Sequence, residues 1–242
     1  MAEPVLKVLA GMGALFLAVV LKEVRKKHLG EAFEELKRVC TLEVDGPLDN
    51  FGVVAEIAPD VEPVFAPGSG RYLVKEKKVL LSYPQGSRQL LALLEAAHEA
   101  GHALHRVRAI DWMYDPRLKN SAYLLLTLAA LAFVLLWPGN RTAACAALLS
   151  PLLVLYSLFV AVRAYEELKA VFFSFRWLSS YLNGLGLDRK EFRTLVCVLR
   201  AKTAMEAAFV VINGLACLSF ALGLYLLLLA GLELDLYLRG GV

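Results

Sequence analysis

The chain has 242 residues, 58% of them hydrophobic, and a net charge of +3, with a mean hydropathy of +0.57. Soluble domains carry only about 45–50% apolar residues, so the excess excludes an ordinary soluble globule and directs much of the chain into lipid. The mild positive charge carries no nucleic-acid signature and is accounted for by membrane topology and attraction to anionic lipid.

In chain order, apolar runs fall at about residues 4–21, 121–137, 143–162 and 207–231, each close to the ~20 residues that cross a ~30 Å hydrocarbon layer as a helix. The pattern predicts a mainly α-helical membrane protein with four transmembrane helices. Lys7 lies inside the first run, where a long side chain can snorkel to the headgroups. That run continues into Lys22, Glu23, Arg25, Lys26 and Lys27 with no cleavage signature, so it reads as an uncleaved anchor. Lys and Arg near span ends stay on the cytoplasmic side. They crowd at Lys22–Arg38 and Lys169–Lys202, whereas the link between the second and third spans offers Arg141 alone and the C-terminal tail Arg239 alone. Segments 22–120 and 163–206 are therefore expected in the cytoplasm, as one small α+β portion of a single domain spanning 1–242.

After the first span a polar helical stretch runs to about residue 40, with Gly30 as its weak point. Residues 44–70 are rich in Pro, Gly and Asp and read as loops enclosing short strands such as Val53–Ile57. Arg71–Val74, a charged turn at Lys75–Lys78, and Val79–Ser82 predict a hairpin or one long edge strand. Ser87 is positioned to cap a helix over about Arg88–Arg108. Beyond the third span the helix is expected to continue to about Leu182 and stop at Asn183-Gly184. Asp188 with Glu191 then reads as a capping box opening the helix into the fourth span, in which Asn213 is suited to a helix–helix hydrogen bond. The cysteines, Cys40, Cys145, Cys197 and Cys217, have no C-x-x-C spacing and read as buried small side chains.

The helix after Ser87 contains His98-Glu99-Ala100-Gly101-His102. Residues four apart stack on one helix face, so the two imidazoles can grip one Zn2+ while Glu99 reaches a water on that metal as general base. The bland alternative is a helix with two histidines on a polar face. Against it, Leu90, Leu91, Leu94, Ala97 and Leu104 mark this helix as buried, where unpaired His and Glu are costly. Catalytic zinc takes three protein ligands. His105 is too close along one helix to close a tetrahedron and reads as a surface or supporting group, and His28 as a solvated neighbour of the basic run. Glu166 and Glu167 follow the third span, two crossings after the histidines and so on the same side. Both could equally be interfacial acids paired with Arg163 and Lys169, and spacing does not choose between them.

With these residues in place, the chain resembles the YugP-type family of membrane-bound neutral zinc metallopeptidases over most of its length. Ala96-Ala97-His98-Glu99-Ala100-Gly101-His102-Ala103 matches the family motif. The family's ligand glutamate is followed three residues later by alanine, a pattern met by Glu167 with Ala170 and not by Glu166. The resemblance departs at Val171, where an aspartate or serine is expected, and at Gly70-Arg71-Tyr72-Leu73, where a His-Tyr-Asp-Pro-like run is usual. It implies zinc held by His98, His102 and Glu167, and an endopeptidase at the cytoplasmic face of the cell membrane acting on membrane-associated proteins or peptides. The competing expectations are a zinc-binding membrane scaffold without turnover and a helical transporter subunit without metal. The strand Val79–Ser82 is expected to hold an extended substrate by backbone pairing, with Ala100 and Gly101 leaving room beside the metal.

Overall fold

The computed structural model describes residues 2–68, 70–105, 127–134, 136 and 140–238. Its elements are mostly helical: α1 (Ala2–Val24), a π-helical segment (Arg25–Gly30), α2 (Glu31–Val39), α3 (Asn50–Ile57), β1 (Glu62–Phe65), β2 (Arg71–Leu73), β3 (Lys78–Leu81), α4 (Leu90–Leu104), α5 (Arg141–Gly184) and α6 (Arg189–Leu238). Among the described residues, three helical runs are long and apolar enough to cross a membrane: Glu3–Leu36, Arg141–Gly184 and Arg189–Leu238. The expected span at 121–137 lies largely outside the described residues, of which 127–134 are helical. At ~1.5 Å per residue, the 44 residues of α5 and 50 of α6 extend about 66 and 75 Å, roughly twice a ~30 Å hydrocarbon layer.

The chain divides into two compact units. One comprises 1–26, 112–164 and 211–242, the other 27–111 and 165–210. In the first, α1 and α6 run antiparallel: Lys7 pairs with Glu233, and Arg25 donates to Asn213 Oδ1. Between these ends the backbones come close. A Cβ on Gly11 would lie 3.1 Å from the Gly223 carbonyl oxygen, and one on Gly223 would lie 2.9 Å from that of Gly11, the close approach that small residues permit between membrane helices. Asn213 thus makes the expected interhelical bond. Lys7 has Glu3, at 3.0 Å, and Glu233 as partners. Ser150 and Tyr225 hydroxyls, 2.6 Å apart, join α5 to α6 within this unit.

The second unit is organised by a leucine-rich core. Leu90, Leu93 and Leu94 of α4 pack with Leu178 and Leu182 of α5, Leu195 and Leu199 of α6, Val53 and Val54 of α3, and Val79 and Leu81 of β3. Val53–Ile57 is helical, correcting the expected strand. The Asp49 carboxylate accepts from the Gly52 amide at 2.6 Å and starts the helix, and the helix buries Val53, Val54 and Ile57 on one side. The sheet has the order β1-β3-β2, with β1 parallel and β2 antiparallel to β3. The hairpin of β2 and β3 is as expected. β3 is central, however, because Glu62–Phe65 occupies its other side, so it is no edge strand open to a substrate backbone.

Other local expectations shift by a few residues. The cap of α4 is Gln89, with no side-chain bond, and not Ser87. The start of α4 is fixed instead by backbone bonds Leu90 N to Leu42 O (2.8 Å) and Val44 N to Arg88 O (3.0 Å). The helix is described to Leu104 with His105 as its cap, and its expected continuation to Arg108 lies outside the described residues. Gly30 does mark a junction, between the π-helical segment and α2. At the end of α5 the left-handed residue is Gly186, φ +68°, rather than Gly184. Asp188 Oδ1 accepts from the amides of Lys190 and Glu191 at 2.6 and 3.0 Å, opening α6 as anticipated. All cysteines are free. Cys40 and Cys145 are buried, but Cys197 is exposed, against expectation.

Candidate metal centre

The candidate centre lies within the second unit, between α4 and the continuation of α5. Spacing by one turn of α4 brings His98 and His102 together, Nε2 to Nε2 3.1 Å. Glu167 Oε2 lies 3.3 Å from His102 Nε2 and 3.8 Å from His98 Nε2. These three are the group of described residues whose ligand atoms converge, all within 4.8 Å. A tetrahedral zinc with ~2.0–2.1 Å bonds sets its ligands about 3.3 Å apart, so the three atoms fit that ion with shifts of a few tenths of an ångström. Glu166 is buried but is not one of the three.

The approach of the two helices rests on Gly101. A Cβ there would lie 2.8 Å from Phe173 Cδ1, so the missing side chain is replaced by the phenyl ring. This corrects the expectation of open room beside the metal, for Gly101 meets Phe173 and Ala100 is fully buried in the core. His105 stacks edge-on against the same Phe173, ring centroids 4.9 Å apart. Burial, with Lys169 nearby, holds its imidazole below the ordinary value, in keeping with a supporting place outside the ligand set. His28 is exposed on the π-helical segment.

Electrostatics favour a cation between these groups. Burial opposes charge on His98, but its hydrogen bond to Glu167 and the carboxylates of Glu99, Glu206 and Glu167 outweigh it and raise the pKa. Glu99 is only 8% exposed. Desolvation raises its pKa, against the lowering influence of His98 and His102. His98 Nδ1 is buried with no hydrogen-bond partner among the described residues. Val171, where the resemblance leads one to expect a polar residue, is buried.

A cavity of about 230 Å³ opens beside His98 and Glu99. One face of α4, including Glu95, forms one wall; Ser82 and Tyr83 at the end of β3, the β1–β2 turn, and Lys202 with Glu206 of α6 form the others. Glu95 accepts from both the Ser82 amide (2.8 Å) and the Ser82 hydroxyl, which clasps the strand to α4 one turn before His98. In the sequence Lys202 reads only as part of the basic segment that sets topology, and Glu206 carries no reading. Their i, i+4 spacing is visible there, but nothing local announces that it faces the histidines. Compared with models of protein families, with curated proteins and with solved structures, the chain matches none.

Proposed function

We propose that this chain is a zinc-dependent membrane endopeptidase that hydrolyses peptide bonds of membrane-associated proteins or peptides, with His98, His102 and Glu167 as metal ligands and Glu99 as general base. The observation that carries this reading is the convergence of the three ligand atoms at 3.1–3.8 Å. A Zn2+ ion held there supplies a Lewis acid that lowers the pKa of a coordinated water toward ~7. Glu99 accepts a proton from the water as its oxygen bonds to the scissile carbonyl carbon. It then delivers that proton to the amine nitrogen as the C–N bond breaks. The cavity beside Glu99 receives the residue next to the scissile bond. Because β3 has neighbours on both sides, recognition of an extended substrate backbone falls to an edge strand, β1 or β2, and of these β2 (Arg71–Leu73) begins next to Gly70 on the cavity wall.

The distribution of Lys and Arg supports a site on the cytoplasmic side of the cell membrane. Glu167 follows the apolar stretch of α5 by about five residues, or roughly 8 Å of helix, which favours substrates cut close to the bilayer. A second reading, a zinc-binding scaffold without turnover, is favoured by His98 Nδ1, which has no partner among the described residues, since zinc-bound histidines normally donate that proton to a fixed acceptor. The two separate in one experiment. Purified protein loaded with zinc is assayed on a quenched-fluorescent peptide set beside Glu99→Gln, with metal content measured in both. The peptidase reading expects about 10²–10⁴-fold slower cleavage at unchanged zinc content. Full activity in Glu99→Gln removes the assigned base, and a zinc-replete wild type that cleaves nothing leaves the scaffold.

A further inference from the structure

Lys202 is 6% exposed. An ammonium so placed is costly unless a carboxylate compensates it, and Glu206, one turn later on α6, bonds to it. The pair lines the same cavity as His98 and Glu99, and the Glu206 carboxylate is near enough to His98 to influence its charge. The other charged residues on that wall set are acids. Glu95 is occupied by Ser82 and Glu99 serves as base, so Lys202 is the cation among the described cavity-lining residues.

Resting on the peptidase reading, we propose that Lys202 contacts the substrate, binding the carbonyl oxygen as negative charge collects on it during attack, and that Glu206 is the positioning residue that keeps the ammonium oriented toward the cavity. A fixed positive group in a water-poor site stabilises such charge without reorganising when it appears. The bond changes are those of hydrolysis. The carbonyl π pair moves onto oxygen as water's oxygen bonds to carbon, then returns as the C–N bond breaks. Lys202 keeps its proton throughout.

The test uses the full zinc-loaded chain in detergent micelles, a quenched-fluorescent peptide, and a peptidyl phosphonate whose tetrahedral anion imitates the attacked carbonyl. Lys202→Met is expected to lower kcat about 10²–10³-fold, the loss typical of removing one such donor, with KM and zinc content unchanged. It should weaken phosphonate binding by a comparable factor. Lys202→Arg should recover a substantial part of both, and Glu206→Gln should lose about tenfold in kcat, since the ammonium stays but is less well held. If Lys202→Met does not fold, Lys202→Gln carries the same comparison. A kcat within threefold of wild type, or a loss confined to KM, overturns the proposal. Should the wild type bind zinc yet cleave no peptide, the peptidase reading fails. Phosphonate binding, measured by calorimetry, then still decides Lys202: binding lost in Lys202→Met upholds its anion role, and binding unaffected ends it.

Discussion

The two compact units solve the same problem, holding helices together, with different chemistry. In the unit containing α1, large apolar residues such as Leu6, Phe16 and Leu158 are exposed, on helices long and apolar enough to cross a membrane. There the contact between α1 and α6 is made by Gly11 against Gly223 and by polar pairs at either end. In the other unit, Leu90, Leu93, Leu178, Leu182 and Leu199 are fully or almost fully buried, and water drives them together. The comparison teaches that a polar pair means opposite things in the two settings. Between the exposed apolar helices it joins one to the next, whereas near the leucine core His98, His102, Glu167 and Lys202 are exceptions that need a ligand or a partner to justify them.

The comparison can be broken first at Glu167. Glu167→Ala is expected to weaken zinc binding by 100-fold or more, on the order of the loss for perturbing even outer groups of a metal site, while Glu166→Ala leaves the affinity within a few fold; competition with a chromogenic chelator measures both. Next comes Gly101→Ala. Its methyl meets the Phe173 ring, so α4 must move from α5 and His102 from Glu167, for an expected loss of about 10- to 100-fold in zinc affinity. A paired Gly101→Ala/Phe173→Leu substitution, which removes the obstruction, should restore most of it. In the other unit, Gly223→Leu overpacks the α1–α6 crossing and is expected to cost about 1–3 kcal/mol. Thermal unfolding in micelles should fall while zinc affinity per folded molecule stays constant. Ser150→Ala, which removes one interhelical hydrogen bond, should cost least, about 0.6 kcal/mol, by the same measurement.

Legibility in the sequence followed locality. His98, Glu99 and His102 lie within one turn, so their shared face follows from helix geometry alone. Counting membrane crossings reached Glu166 and Glu167 together, and only the Glu-x-x-Ala pattern of the resemblance preferred Glu167. Val53–Ile57 was misread because its valines and isoleucine favour strands, while the decisive cap, Asp49, works through one side-chain bond to Gly52. The hairpin of β2 and β3 is legible, but not that β3 is flanked on its other side, because its parallel neighbour, Glu62–Phe65, sits in a proline-rich stretch and pairs across a separation that periodicity does not register. Lys202 was hidden for a related reason. A lone lysine in a basic segment carries the same topology signal whether it faces water or a cavity.

The 3.1 Å separation of the two imidazole Nε2 atoms has a chemical corollary. Two lone pairs cannot face one another at that distance without repulsion, so in the metal-free protein one nitrogen carries hydrogen into the gap. Zinc needs both lone pairs, which makes proton and metal rivals for one small space. Below the raised pKa of His98 the proton holds the gap more strongly, and zinc affinity falls by about tenfold per pH unit for each proton displaced; above it, that penalty disappears. Loading the site below that pKa should therefore acidify an unbuffered solution, with a heat that varies with the ionisation enthalpy of the buffer; above it both effects should vanish.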